Sequence, residues 1–282
     1  MKFFDKINIF NRRKSKKLHS ERREYLLTDK VSFNVTEAFR NFKASLSVSM
    51  SKKNNNEGIA IMLTSSCPED GKTTVAVNLA LMYAFSDAKV VLVDADVRKG
   101  RVARFFKRKS APGLSDCLSG QVSLDDVTHT DHDNKNFHFI TCGTHSPRPY
   151  ELLESEEMKT LIAELKKKYD YVIIDTPPLL IVSDALAIAT EVDGTVVVSR
   201  HQTSYLGDIA KTLEKLQFAK ANVLGVVVND FNVEEKAYSH NYYHYNYYSY
   251  SYQDDTPEKE EIAEPTENTA EDSVENSADN NN

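Results

Sequence analysis

The run Ser66-Cys67-Pro68-Glu69-Asp70-Gly71-Lys72-Thr73-Thr74 follows directly on an apolar segment, 59–63, and leads directly into a helical pattern, 73–84. A strand, a loop and a helix that opens on Gly-Lys-Thr leave few folds available. In such an arrangement the loop amides and the positive end of the helix face an anion, which is how a P-loop cradles phosphates. Lys72 then reaches the β- and γ-oxygens of a nucleoside triphosphate, and Thr73 offers its hydroxyl to Mg²⁺. Ser66 stands where the usual pattern has its first glycine, so the loop is a variant one.

The pattern around the loop extends the same reading. Short apolar runs at 59–63, 90–93, 137–141, 171–174, 195–199 and 223–228 alternate with helical patterns at 73–84, 151–168, 184–190 and 206–218. Alternation of this kind predicts an α/β fold: a mostly parallel central sheet with helices on both faces. A further helix is expected from Thr36, whose hydroxyl can cap it, with Phe39, Phe42 and Leu46 on one face. Two of the strands end in acids. Val91-Leu92-Val93-Asp94-Ala95-Asp96-Val97-Arg98 places two carboxylates two residues apart, and Tyr171-Val172-Ile173-Ile174-Asp175-Thr176-Pro177-Pro178 ends a second strand in Asp175. The carboxyl ends of the strands are where open α/β sheets bind ligands, so a chance Gly-Lys-Thr or a set of plain helix caps is the weaker reading.

Composition bounds the rest. The 282 residues allow one sizeable domain with extra segments at both ends: a basic arm at 1–30, the P-loop domain at 31–232, a tyrosine-rich cluster at 233–252 and an acidic tail at 253–282. Residues 1–24 hold nine Lys/Arg against three acids, whereas 253–282 hold eleven acids against a single lysine, Lys259. That tail is too polar to bury a core and is expected to be disordered. Cys67, Cys117 and Cys142 form no CxxC pair, no apolar run reaches membrane-spanning length and no secretory signal is evident. A cytoplasmic protein is expected.

The variant loop, the strand ending in Asp-Ala-Asp-Val-Arg and the strand ending in Asp-Thr-Pro-Pro together resemble the bacterial tyrosine kinases of capsule and exopolysaccharide operons. The similarity is to the type whose membrane adaptor is a separate polypeptide. It runs from about Thr36 to Tyr252 and includes Gly113-Leu114-Ser115-Asp116-Cys117-Leu118-Ser119-Gly120 and the stretch from Gly143 into Glu151-Leu152-Leu153. The resemblance implies a P-loop NTPase fold of the deviant-Walker, partition-ATPase-like type, using ATP and Mg²⁺. It implies a nucleotide site formed by Ser66 through Thr74 (Ser66, Cys67, Pro68, Glu69, Asp70, Gly71, Lys72, Thr73 and Thr74) and, for the adenine, Asn229, which read alone is also an ordinary turn residue. Lys72, Asp94, Asp96 and Asp175 are implied as catalytic, with Thr73, Asp94 and Asp175 holding the metal and Asp96 orienting or deprotonating the incoming tyrosine. It further implies a membrane-anchored adaptor that recruits the protein to the inner face of the cell membrane, a cognate tyrosine phosphatase and control of polysaccharide synthesis and export. Glu37, Arg40 and Lys43 resemble an ExxRxxR oligomerisation motif, with lysine in the last place, which implies a homo-oligomeric ring.

The same scaffold serves partition and division-site switch ATPases, the rival reading. Those carry a signature lysine near the start of the loop, where this chain has Cys67, and they lack a tyrosine tail. Here Tyr238, Tyr242, Tyr243, Tyr245, Tyr247, Tyr248, Tyr250 and Tyr252 are eight of the fourteen tyrosines, among Ser, His, Asn and Gln. With no Lys or Arg between 237 and 255, nucleic acid is not the expected partner, and the cluster reads as the phosphoacceptor. Two smaller expectations complete the reading. Phe3, Phe4, Ile7 and Phe10 share a helical spacing ahead of a basic run, which suits an anionic lipid surface as well as a solvated arm. Cys67 reads first as a small residue that fits the loop, and as the lesser alternative as a thiol whose pKa the phosphate-binding amides lower.

Overall fold

The structure, a computed structural model, describes residues 26–27, 31–50 and 57–230. Its helices are α1 (Phe33–Met50), α2 (Lys72–Ala84), α3 (Val102–Phe105), α4 (Leu114–Leu118), α5 (Leu124–Val127), α6 (Pro149–Glu154), α7 (Glu156–Lys168), α8 (Asp184–Ile188) and α9 (Leu206–Phe218). Its strands are β1 (Ile59–Ser65), β2 (Val90–Asp94), β3 (Thr128–Thr130), β4 (Phe137–Ile140), β5 (Tyr171–Asp175), β6 (Gly194–Arg200) and β7 (Val223–Asn229). They form one sheet in the order β3-β4-β2-β5-β1-β6-β7, parallel throughout except for the antiparallel edge strand β3.

Strand alternation divides the core in two. Ile61, Leu63, Val90, Leu92, Ile173, Val196 and Val198 face α2, while Met62, Val91, Val93, Val172, Ile174 and Val197 face α7, α8 and α9 across the sheet. Burial on both faces is why these strands read as near-continuous Val/Ile runs. In α2 every residue except Thr74 is buried, because α1 covers the side turned away from the sheet. Leu46 is buried there, Phe39 and Phe42 pack partly buried beside it, and the Leu27 N–H donates to Asn78 Oδ1 at 2.9 Å.

Several expectations need correcting. α1 starts at Phe33, one turn before Thr36, whose hydroxyl instead donates to Ser32 O at 3.4 Å inside the first turn. The run read as one helix over 151–168 breaks at Ser155, which is extended (φ −67°, ψ 159°) and whose hydroxyl caps α7 by accepting from the Met158 N–H. Apolar periodicity carries across that break, so the pattern alone does not reveal it. β3 and the short helices α3, α4 and α5 were not read from the sequence; three- to five-residue elements are too brief to show a period.

Two glycines test the packing with opposite signs. A Cβ on Gly58 would lie 1.8 Å from Tyr169 O and 2.9 Å from Lys166 O, both backbone atoms, whereas one on Gly207 meets nothing within 4 Å. Gly58→Ala is expected to lose about 2 kcal/mol or more in urea unfolding. Gly207→Ala, in α9, is expected to gain about 0.5 kcal/mol through helix propensity in the same measurement.

Candidate functional site

Parallel register places Asp94 of β2 directly beside Asp175 of β5, and Leu63 of β1 on the other side of Asp175. Alternation assigns both carboxyls to the face of Leu92 and Ile173, which is the α2 face. The first residue of α2 is Lys72, so the helix delivers its ammonium to the strand ends. Lys72 Nζ lies 3.5 Å from Asp96 Oδ2 and 3.6 Å from Asp175 Oδ1. The side chain expected to point only at ligand is thus 10% exposed and ion-paired within the protein.

The loops after the strands hold the acids in place. Asp96 Oδ1 accepts from the Lys99 N–H at 2.9 Å, which leaves Oδ2 toward Lys72. Asp94 Oδ2 accepts from the Val102 N–H at 2.9 Å. The chain passes so close that a Cβ on Gly100 would sit 2.7 Å from that oxygen and 2.4 Å from Cys142 Sγ. Arg98 forks onto the buried Asp184 at 2.6 and 3.0 Å, tying the strand β2 exit to α8. Against this support, Asp94 Oδ1 and both oxygens of Asp175 are buried with no donor at hydrogen-bonding distance.

Burial drives the Asp94 carboxyl up, to about 8, and the Asp175 charge adds to that against the pull of the Val102 N–H. Burial likewise raises Asp175, against the pull of the Lys72 charge and the Thr73 hydroxyl. Donor-free carboxylate oxygens beside a buried Thr73 hydroxyl are hard ligands that suit Mg²⁺. Among the described residues no cluster of three or more His, Cys, Asp or Glu makes a metal cage by itself, so phosphate oxygens and water would complete the coordination.

The loop itself turns tightly. Pro68 and Glu69 form its exposed outer turn, Glu69 in the left-handed region at φ 71°. Gly71 follows at φ 88°, where a Cβ would lie 2.0 Å from Asn229 Nδ2. Asn229 donates through that Nδ2 to Asp70 O at 3.1 Å, so its amide braces the loop. Ser66 Oγ accepts from the Thr212 hydroxyl at 2.9 Å, and Thr74 is half-buried in the first turn of α2. Thr212, Ser204 and Asp184 belong to this neighbourhood without carrying a motif that could have marked them, and Arg98, the last residue of the Asp-Ala-Asp-Val-Arg run, has no role assigned from sequence.

Cys67 runs opposite to the lowered-pKa alternative. Its thiol is raised, by burial first and then by the Asp208 and Asp70 charges, with Asp208 Oδ2 4.0 Å from Sγ. Of the oligomerisation residues, Arg40 pairs with Glu37 along the exposed side of α1. Lys43 turns inward, donating to Ser86 Oγ at 2.5 Å with its ammonium 5.3 Å from the Tyr83 ring centre. The eight tail tyrosines and the basic arm lie outside the described residues.

The raised acids set a pH dependence. Both folded pKa values exceed the unfolded value of about 3.9, so the folded chain binds more protons, and the stability that Asp94 contributes is lost as pH rises from about 4 through about 8. Asp94→Asn removes one such proton. In nucleotide-free urea melts the variant is expected to match wild type near pH 4 and to exceed it by about 1–3 kcal/mol at pH 8.

Comparison with known proteins fits this geometry. A family model described as an AAA domain matches residues 69–226. The putative tyrosine-protein kinase EpsB of Ralstonia solanacearum is 35% identical over 225 residues, which cover 79% of this chain and 30% of EpsB. The chain therefore spans less than a third of that relative. The tyrosine-protein kinase YwqD of Bacillus subtilis is 33% identical over 217 residues, covering 77% of this chain and 90% of YwqD. The solved kinase domain of Escherichia coli tyrosine kinase ETK superposes with a TM-score of 0.64 at 34% identity, over 70% of this chain and 77% of that domain. Carrying the AAA domain and matching YwqD over nearly its whole length, the chain belongs to the family of bacterial tyrosine-protein kinases.

Proposed function

We propose that the chain transfers the γ-phosphoryl group of ATP to tyrosine hydroxyls, and that its principal acceptors are Tyr238, Tyr242, Tyr243, Tyr245, Tyr247, Tyr248, Tyr250 and Tyr252. The observation that supports this most is the convergence of Lys72 with Asp94, Asp96 and Asp175 at the start of α2. Phosphoryl transfer is mostly positioning and charge neutralisation, and this set supplies both.

Each residue has a separate task in this reading. The amides of 66–74 and the N-terminus of α2 cradle the phosphates, and Lys72 neutralises the β- and γ-oxygens. Asp96, with Oδ1 fixed by the Lys99 N–H, presents Oδ2 to the tyrosine hydroxyl and takes its proton as the O–P bond forms. A phenol with a pKa of about 10 needs such an acceptor at neutral pH. Thr73, Asp94 and Asp175 would hold Mg²⁺, which when bound shields the charge on the transferring group and the departing ADP. Asn229 serves by bracing the loop rather than by reading the adenine.

The wider reading is that phosphorylation occurs in trans within a homo-oligomeric ring, through Glu37 and Arg40 more than Lys43. A membrane-anchored adaptor would recruit the kinase and a cognate phosphatase would reset it, in the control of polysaccharide synthesis and export. No helix among the described residues is long and apolar enough to cross a membrane, which suits recruitment by a separate protein.

The test mixes two chains with ATP and Mg²⁺ and follows phosphotyrosine. One is Lys72→Met with an intact tail; the other is active but has phenylalanine at all eight tail positions. Labelling of the Lys72→Met chain, lost when Glu37 and Arg40 become alanine, is expected. Asp96→Asn serves as a second inactive chain, because removal of the buried Lys72 also unbalances its carboxylates. Wild type that never labels itself defeats the kinase reading. Self-labelling of wild type with neither inactive chain labelled defeats transfer in trans.

A further inference from the structure

An acid inside a phosphate-binding loop needs a reason. Asp70 stands two residues before Lys72, carries the same sign of charge as the ligand and is 2% exposed. Both its oxygens are nevertheless occupied by the protein. Oδ2 accepts from the Cys67 N–H at 3.1 Å, closing the loop on itself, and Oδ1 accepts from the Ser204 hydroxyl at 2.9 Å. Ser204 Oγ in turn accepts from the Arg200 N–H at 2.7 Å. The result is an unbroken chain of hydrogen bonds: Arg200 N–H to Ser204 Oγ, Ser204 O–H to Asp70, and Cys67 N–H to the same carboxylate from the other side.

That chain is anchored at both ends to the sheet. Arg200 is the last residue of β6, and the His201 N–H donates to Asn229 O, the last residue of β7, at 2.9 Å. Asn229 returns to the loop through its Nδ2 on Asp70 O at 3.1 Å. Asp70 is therefore held at its carboxylate by the segment after β6 and at its carbonyl by the end of β7. Hydrogen bonds in series within a low-dielectric surrounding strengthen one another, and a carboxylate takes the strongest of them.

We infer that Ser204 is a positioning residue for the nucleotide: through Asp70 it holds the loop amides in register with the phosphates and keeps the Asp70 charge turned away from them. The inference rests on the loop being the nucleotide site. Without the Ser204 hydroxyl, Asp70 Oδ1 loses its donor while remaining charged beside a polyphosphate. Both the set of the amides and the local potential then change. Neutralising Asp70 removes the second of these effects, so the two positions must be coupled.

ADP binding, measured by calorimetry on the full chain with Mg²⁺, tests this without requiring phosphoryl transfer. Ser204→Ala is expected to weaken ADP by about tenfold, the size of one hydrogen bond to a charged group. The melting temperature of the nucleotide-free protein is expected to fall by about 2–4 °C, because the buried Asp70 carboxylate loses one donor. Ser204→Thr, which keeps the hydroxyl, restores affinity. In an Asp70→Asn background the same Ser204→Ala change has a smaller effect, because the charge beside the phosphates is already gone. Wild-type affinity in Ser204→Ala overturns the inference, as does a loss that Ser204→Thr fails to restore or that persists in full beside Asp70→Asn. Wild type that binds no ADP overturns the nucleotide reading together with it.

Discussion

One buried ammonium among three buried carboxyls governs this molecule. Lys72 can neutralise only part of the charge that Asp94, Asp96 and Asp175 would carry if all were ionised. Taking ions out of water costs several kcal/mol each unless partners replace the lost hydration. In the nucleotide-free site burial raises the pKa of both Asp94 and Asp175, which favours their neutral forms. A divalent cation answers better, because it supplies positive charge to oxygens that Lys72 approaches only at 3.6 Å and that lack a partner at hydrogen-bonding distance. Such an imbalance favours a cation wherever one can enter.

The doubly wound sheet makes this arrangement hard to lose. β1 lies between β5 and β6, so the loop that leaves it opens over the strand that ends in Asp175. Register then sets Asp94 beside Asp175, and a one-residue slip in either strand would send its acid to the opposite face. α2 is buried almost all round, between the sheet and α1, so its first residue has little freedom to move. Rigid placement of this kind is what a reaction that depends on position and charge demands.

Much of this was legible in the sequence, and the rest was hidden for definable reasons. Short apolar runs such as 90–93 and 171–174 marked the parallel strands, because burial on both faces leaves a composition that water would not tolerate. The Gly-Lys-Thr step and the three acids were visible because motifs record adjacency along the chain. Ser204 and Thr212 were invisible because they approach the loop only through folding, from more than 130 residues away, and a serine or threonine in a loop or helix has no spacing to betray it. The break at Ser155 escaped for a different reason: α6 and α7 share an apolar rhythm, and a single extended residue does not disturb it. The upward shift of Cys67 comes first from burial, which only folding imposes, and then from Asp208, which α9 brings to the sulfur from far along the chain.

Donor count separates the acids that hold the fold from those that hold a ligand, and no spacing rule supplies it. Asp116 is as buried as the site acids, at 4% exposed, and follows a Gly113-Leu-Ser turn much as Asp94 ends its strand. Burial alone would raise it, yet hydrogen bonds from Thr144 and from the Gly113 N–H outweigh burial and hold it below the usual carboxylate range. Asp193 is similarly filled, by the Ala60 N–H at 2.8 Å and by Lys166 at 2.8 Å. Asp94 has one oxygen served by Val102 and one without a hydrogen-bond partner, and Asp175 has neither oxygen within hydrogen-bonding distance of a donor, its nearest cation being Lys72 at 3.6 Å. A carboxylate saturated with protein donors has spent its lone pairs on structure and stays ionised at little cost. One that is buried without donors has been kept available, and the charge it wants must come from outside the chain. Asp70 belongs to the first group although it lies within the loop, its two oxygens being taken by the Cys67 N–H and the Ser204 hydroxyl.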